Sequence, residues 1–275
     1  MHIHFIAVGG AAMHSLAIAL KHRGYSVTGS DDEIFDPARA QLLKAGLLPA
    51  KPGWFPEKLM PDIGAVILGM HARRDNPELL RAQELGIRVF SYPEFLYRET
   101  MDKTRVVIAG SHGKTTITAM VMHVLKHNGL LFDYMAGSRL EGFDNMVSLE
   151  SGNSIAVFEG DEYLSSCLDP RPKFHLYQPQ IALISGIAWD HINVFPTHES
   201  YVEQFRIFIE NMPVGGCLVY CEEDDLLKKI VEQGNPHIRK LPYRAPEYKI
   251  EEGSCVIPVN GNPWTMEVFG RHNMQ

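Results

Sequence analysis

The stretch Ile108-Ala109-Gly110-Ser111-His112-Gly113-Lys114-Thr115-Thr116 constrains this chain most, because an apolar run ends in a glycine turn that opens directly into a helical pattern. Arg105 to Ala109 reads as a buried strand, and Ala119, Met122 and Leu125 recur at helical spacing until Asn128-Gly129 supplies a stop. A strand that hands over to a helix through glycines is a phosphate cradle. Gly110 and Gly113 let backbone N–H groups converge on an anion, Lys114 adds a fixed charge, and Thr115 can reach Mg²⁺. Ser111, His112 and Thr116 complete the loop. Its form is compact, since Ile108 stands where G-x-x-x-x-G-K-[ST] has its first glycine, and this points to a specialised ATPase.

With 275 residues the chain has room for two domains. Apolar residues at 45% and charged residues at 21% are globular values, and the net charge of −7 with no long run of one sign argues against a nucleic-acid partner. No apolar stretch approaches the ~20 residues that cross a bilayer, and Met1-His2-Ile3-His4 is not a basic-then-apolar signal, so no membrane role and a cytoplasmic location are expected. Four cysteines without a C-x-x-C pair read as small buried hydrophobes rather than a disulfide or zinc framework.

The expected fold class is α/β. His2 to Val8 has a strand pattern, Gly9-Gly10 a turn, and an apolar-periodic helix follows through Leu20 with a stop at Gly24; Tyr25 to Gly29 is a second strand. This βαβ opening puts Gly9, Gly10 and Ala11 where a phosphate meets a helix N-terminus, although Ala7-Val8-Gly9-Gly10-Ala11-Ala12 is a degenerate dinucleotide register. Asp31 is spaced as a ribose-binding acid, and equally as an acid that caps a strand end; the residues alone leave both open. Strands at 65–68 and 87–90 flank a helix from Asn76 to Leu85. The polar text from Tyr92 to Thr104 places a boundary there, giving domains 1–98 and 99–275. Beyond the loop, strands fit 155–158, 181–185 and 217–220, and a helix from Glu199 to Asn211 buries Val202, Phe205, Phe208 and Ile209. Turn residues at Glu252-Gly253 and Asn260-Gly261-Asn262-Pro263 imply a small antiparallel sheet between Tyr248 and Phe269.

Two polar clusters follow strands. Glu159-Gly160-Asp161-Glu162 emerges at a sheet's carboxyl edge, where ligands bind, and a hard carboxylate such as Glu159 suits Mg²⁺ beside Lys114 and Thr115. Trp189-Asp190-His191 comes out at the same edge, but imidazole is an unusual Mg²⁺ ligand and chemistry alone leaves His191 undecided.

The order of these parts resembles the Mur ligases, ATP-dependent enzymes that build the peptide of the bacterial cell-wall precursor; Gly270-Arg271-His272-Asn273 and the phosphate loop are the most specific markers. The resemblance covers essentially the whole chain. It implies a Rossmann-like UDP-sugar domain followed by a P-loop ATPase α/β domain. It further implies that Lys114 contacts the β- and γ-phosphates, that Thr115, Glu159 and His191 serve Mg²⁺, and that Asn273 bonds adenine. Gly9, Gly10, Ala11, Asp31 and the region of His71 match the UDP-sugar pocket. Phe158 to Tyr163, Asp169 to Phe174 and Asp190-His191 look most like the members that join the murein tripeptide L-alanyl-γ-D-glutamyl-meso-diaminopimelate to UDP-N-acetylmuramate through an acyl phosphate. The L-alanine-adding members share the same skeleton. The family continues past the His-Asn motif with a helix and a third domain, whereas this chain stops at Gln275, so it is not expected to complete the reaction alone. Rival expectations are a noncatalytic nucleotide-sugar-binding fragment and a dehydrogenase built on the first βαβ unit.

Overall fold

The computed structural model describes residues 1–251 and 253–266, so Glu252, Asn273 and the rest of the GRHN marker lie outside the described residues. The first unit is a four-stranded parallel sheet built by successive βα steps. They run β1 (His2–Ile6), α1 (Ala11–His22), β2 (Ser26–Ser30), α2 (Ala38–Lys44), β3 (Ile63–Leu68), α3 (Pro77–Glu84), β4 (Val89–Ser91) and α4 (Tyr92–Glu99). Strand order is β2-β1-β3-β4, with Ile3 opposite Val27 on one side and Ala65 on the other. The chain therefore reverses direction across the sheet at β1, and the Gly9-Gly10 turn leaves β1 at this switch point, where α/β sheets bind ligands.

A second sheet carries the phosphate loop. It contains β5 (Thr104–Ala109), α5 (Lys114–His127), β6 (Phe132–Met135), β7 (Val147–Ser148), β8 (Ile155–Glu159), β9 (Ile181–Ile184), α6 (His198–Glu210), β10 (Cys217–Cys221), α7 (Asp225–Gln233) and β11 (Arg239–Tyr243). Strand order is β11-β10-β9-β5-β8-β6-β7, parallel except for the β6/β7 pair. Here too the switch falls at the strand that matters: β5 lies between β8 and β9, so the segments after all three converge at one carboxyl edge. The expected small sheet is present as β12 (Lys249–Glu251), β13 (Ser254–Val259) and β14 (Asn262–Met266), an antiparallel meander.

The expected boundary between Tyr92 and Thr104 holds more structure than its polar text suggested. Helix α4 buries Tyr92, Phe95 and Leu96 while Glu94 and Arg98 supply the polar face, and Phe95 meets Phe90 edge-on at 5.4 Å. In an eight-residue helix the short apolar stripe is outvoted by charges in any composition window. After it, Lys103 forms a buried ion pair with Asp133, whose other oxygen accepts from Glu150 N–H and the Asn153 amide; Lys103 also donates to Glu150 O. Both partners thus have hydrogen bonds beyond the pair itself, which offset the cost of burying two charges. The Arg105 guanidinium donates to the carbonyls of Thr100, Lys103, Tyr177 and Gln178, fastening the connection to the second sheet. All four cysteines are free thiols. Among the described residues no helix is long and apolar enough to cross a membrane.

Candidate active site

Helix N-termini divide this protein's helices into two groups. Asn76, Ser91, Thr197 and Asp224 cap α3, α4, α6 and α7 with side-chain oxygens, and Asp36 accepts from Ala40 N–H in the first turn of α2. Helices α1 and α5 have glycine at the N-cap, no side-chain cap and no acid in the first turn. Their orphan N–H groups and positive dipole ends are left for an anion, and both follow glycine turns at sheet switch points.

The loop before α5 is built by close backbone approach. Gly110 has φ +122°, and a Cβ there would lie 2.2 Å from Ser185 Oγ and 2.9 Å from Ser185 N, so only glycine fits. Ser185 Oγ donates to His112 O at 2.7 Å, and Ser111 N–H donates to Gly186 O, which ties the loop to the chain leaving β9. Gly113 turns into the helix at φ +78°. Ser111 is buried, Lys114 and Thr115 half-buried, His112 and Thr116 exposed. The Lys114 ammonium curls over the loop, donating to Gly110 O at 2.9 Å and to Glu162 Oε1 at 3.1 Å.

Four acidic or imidazole groups face this loop, and their partners differ. Glu159, at the end of β8, accepts from Thr115 Oγ1 at 2.9 Å and from Gly137 N–H at 2.8 Å, and among the described residues no ammonium or guanidinium pairs with it. Asp161 is held by Lys173, and Glu162 by Lys114. Burial opposes ionisation of Asp161, yet Lys173, the Tyr163 N–H and Lys114 together hold its carboxyl below the usual range. Asp161, Glu162 and His191 could bring ligand atoms within 4.8 Å of one another, but two lysines already neutralise the two carboxylates. Of the three carboxylates facing the loop, Glu159 is thus the one lacking a counter-charge, and with the Thr115 hydroxyl it offers the hard oxygens that suit Mg²⁺. These residues fit a divalent cation.

His191 sits in a left-handed backbone conformation at φ +52°, with Nε2 3.5 Å from Glu162 Oε1 and its ring edge-on to Tyr163. The structure brings it to Glu162 and Lys114; among the described residues no contact joins it to Glu159. Glu162 was legible only as one acid of a tetrapeptide. Gly137 and Ser185 carried no signal in the sequence, because each acts through proximity to a residue far away in the chain.

At the first switch point Gly9 N–H donates to Asp31 Oδ2 at 2.7 Å, so Asp31 braces the turn from beneath. Burial pushes its carboxyl up to about 6, against the Gly9 bond and with help from neighbouring Asp32. Gly10 caps α1 and its carbonyl meets His14 Nδ1 at 2.9 Å. A cavity of about 220 Å³ opens beside the turn, lined by Gly9, Ala11, His14 and Gln41 from the first unit and by Arg139 and Asp144 from the second. Asp31 is buried, and His71 lies exposed in the turn after β3, off the wall of this cavity.

Comparison with known proteins shows the family of both units. Residues 108–274 match the Mur ligase middle domain, and residues 2–103 match the Mur ligase family catalytic domain. The chain is 31% identical over 279 residues to UDP-N-acetylmuramate-L-alanine ligase of Rhodococcus erythropolis, covering 98% of this chain and 54% of that one. It is 29% identical to UDP-N-acetylmuramate-L-alanyl-gamma-D-glutamyl-meso-2,6-diaminoheptandioate ligase of Escherichia coli, covering 100% of this chain and 62% of that one. The chain therefore spans between half and two thirds of these relatives. Among solved structures, the UDP-N-acetylmuramate:L-alanyl-gamma-D-glutamyl-meso-diaminopimelate ligase of Neisseria meningitides superposes with a TM-score of 0.87 at 26% identity, over 99% of this chain and 89% of that one. The UDP-N-acetylmuramate-alanine ligase of Thermotoga maritima superposes with a TM-score of 0.73 at 25% identity, over 99% of this chain and 62% of that one.

Proposed function

The chain belongs to the Mur ligase family of ATP-dependent ligases, and we propose that it serves the joining of L-alanyl-γ-D-glutamyl-meso-diaminopimelate to UDP-N-acetylmuramate in the cytoplasm during peptidoglycan recycling. One observation carries the ATPase part of this reading: a buried carboxylate without a counter-charge, Glu159, hydrogen-bonded to the hydroxyl of Thr115 at the mouth of an uncapped glycine loop. Residues 99–275 would hold the nucleotide and 1–98 the UDP sugar. Higher superposition on the Neisseria tripeptide ligase than on the Thermotoga alanine ligase favours the tripeptide, and L-alanine is the second reading.

In this reading Gly110, Ser111, His112, Gly113 and Thr116 wrap the phosphates, with Asn273 at adenine, and Lys114 leaves Glu162 to meet the β- and γ-phosphates. Thr115, Glu159 and His191 would hold Mg²⁺, whose charge offsets that of the triphosphate. Both the muramyl carboxylate and the γ-phosphate are anionic, so the chain's contribution to acyl-phosphate formation is placement: Lys114 and the α5 amides fix the phosphates while Gly9, Gly10 and Ala11 hold the sugar diphosphate. Asp31 keeps the Gly9 turn in shape from beneath, and His71, in the turn after β3, would belong to the same sugar pocket in this reading. The two halves share one hydrophobic core, in which Leu16 of α1 and Val147 of β7 both take part.

Thermal shift with UDP-N-acetylmuramate, Mg-ATP and NADH tests the reading. Ligand at 100 times its dissociation constant stabilises by about 2.7 kcal/mol. The first two are expected to raise Tm and NADH is not; a response to NADH alone would establish the dehydrogenase alternative. ADP release with the tripeptide against L-alanine then separates the two ligase readings, and sugar-nucleotide binding without ADP release under either condition would leave a binding fragment.

A further inference from the structure

Helix α6 places one residue beneath the candidate site that none of the preceding roles requires. Tyr201 is fully buried, its ring wedged between Phe195 at 5.6 Å and Phe205 at 5.3 Å, and its hydroxyl reaches Glu162 Oε1 at 3.0 Å and Ser111 Oγ at 2.8 Å. Burial, and then the adjacent Glu162 carboxylate, push the hydroxyl far above its ordinary pKa, so it is a donor. Its single proton goes to the carboxylate, which can only accept. Ser111 must then donate to Tyr201, and the remaining Ser111 lone pair accepts from Ala188 N–H at 2.8 Å. The direction of the whole chain is fixed: Ala188 N–H to Ser111, Ser111 to Tyr201, Tyr201 to Glu162, whose Oε1 also meets Lys114 and His191.

We propose that Tyr201 is a positioning residue whose hydroxyl locks the phosphate loop, through Ser111, to the acidic turn, through Glu162, while Ser111 itself carries the bond to Ala188 in the His191 segment. A core tyrosine that needed only a partner could be satisfied by one backbone carbonyl. This one instead joins the segments that leave β5 and β8, and its partner Ser111 adds the segment that leaves β9. With the lock closed, Glu162 stays aimed at His191 after Lys114 has left it for the phosphates, so the side chain that borders the cation site is pre-set. Such chains are cooperative, so breaking one link weakens the others.

The proposal rests on the nucleotide-site reading and is tested by ADP binding in calorimetry, measured with and without Mg²⁺, on the wild type, Tyr201→Phe, Ser111→Ala and the double variant. Phenylalanine keeps the ring packing and removes only the hydroxyl. The expected result is that the factor by which Mg²⁺ tightens ADP binding falls about tenfold in Tyr201→Phe, while metal-free affinity for ADP stays within about threefold. The double variant should be no worse than the more affected single one, since residues in one network are not additive. A wild-type Mg²⁺ factor in Tyr201→Phe, or losses that add, would overturn the lock and leave the nucleotide site standing. Should Tyr201→Phe not fold, Ser111→Ala removes that link together with the Ala188 bond, and an unchanged Mg²⁺ factor there overturns the proposal equally. A wild type that does not bind ADP in the presence of Mg²⁺ overturns both readings together.

Discussion

Gly137 offers a way to move one carboxylate without touching its charge. An added Cβ would lie 2.2 Å from Glu159 Oε1 and 2.7 Å from its Cδ, while its neighbours leave the backbone in ordinary space. Comfortable contact begins near 3.4 Å, so Gly137→Ala must drive the carboxylate back by about 1.2 Å. The atom that yields is the end of a flexible side chain, which limits the damage to the fold. Glu159 gives up its bonds from Gly137 N–H and Thr115, and hydrogen bonds to charged groups are worth about 1.5–3 kcal/mol. Part of that is regained as the carboxylate turns toward water, so a Tm loss of a few degrees is expected. Displacement of a ligand group by about 1 Å, by contrast, costs on the order of 100-fold where geometry matters. The Mg²⁺-dependent gain in nucleotide affinity should therefore collapse in Gly137→Ala while sugar-nucleotide binding is kept. Calorimetric titration of ADP with and without Mg²⁺ reads this directly. If the variant retains the wild-type Mg²⁺ factor while its Tm falls as expected, Glu159 is not a cation ligand.

In the full-length enzyme, Lys114→Ala should reduce ADP release in the ligase assay at least ~100-fold, the scale of losing one preorganised stabilising donor. Asp133→Asn breaks the buried pair with Lys103 and is expected to cost about 3–5 kcal/mol in urea unfolding, far more than any exposed pair such as Arg73–Asp75. Asp31 has a folded-state pKa of about 6 against an ordinary 3.8, so the folded state holds the extra proton between those values and stability falls as pH rises through that window. Asp31→Asn should accordingly raise Tm relative to the wild type above pH 6 and leave it unchanged near pH 4; a gain of equal size at both would refute this origin. Gly9→Ala puts a Cβ 2.9 Å from Asp31 Oδ2 and 3.3 Å from Glu33 O, and is expected to weaken UDP-N-acetylmuramate binding without affecting ADP.

What the sequence revealed follows the range of the forces involved. The phosphate loop, the first βαβ opening and the α6 stripe of Val202, Phe205, Phe208 and Ile209 were legible because turn chemistry and periodicity are local. The short α4, the β6/β7 pair, and α2, α7 and β11 were not, since each takes its stability from neighbours distant in the chain. At the site, the acids after β8 could be read as a cluster, yet their division of labour could not: that depends on which lysine reaches which carboxylate, and Lys173 and Lys114 are 59 positions apart in the sequence. Tyr201 stands one turn before Phe205, so periodicity alone would have buried it, but only the fold shows what its hydroxyl meets.

The central claim concerns where the cation goes. Crystals grown with ADP and Mn²⁺ and measured at the manganese absorption edge would locate it without reference to activity. The account predicts an anomalous peak within bonding distance of Thr115 Oγ1 and a Glu159 oxygen, with Lys114 moved off Glu162 toward the diphosphate. A peak held by Asp161 and Glu162 instead, with Thr115 still bonded to Glu159, would contradict it.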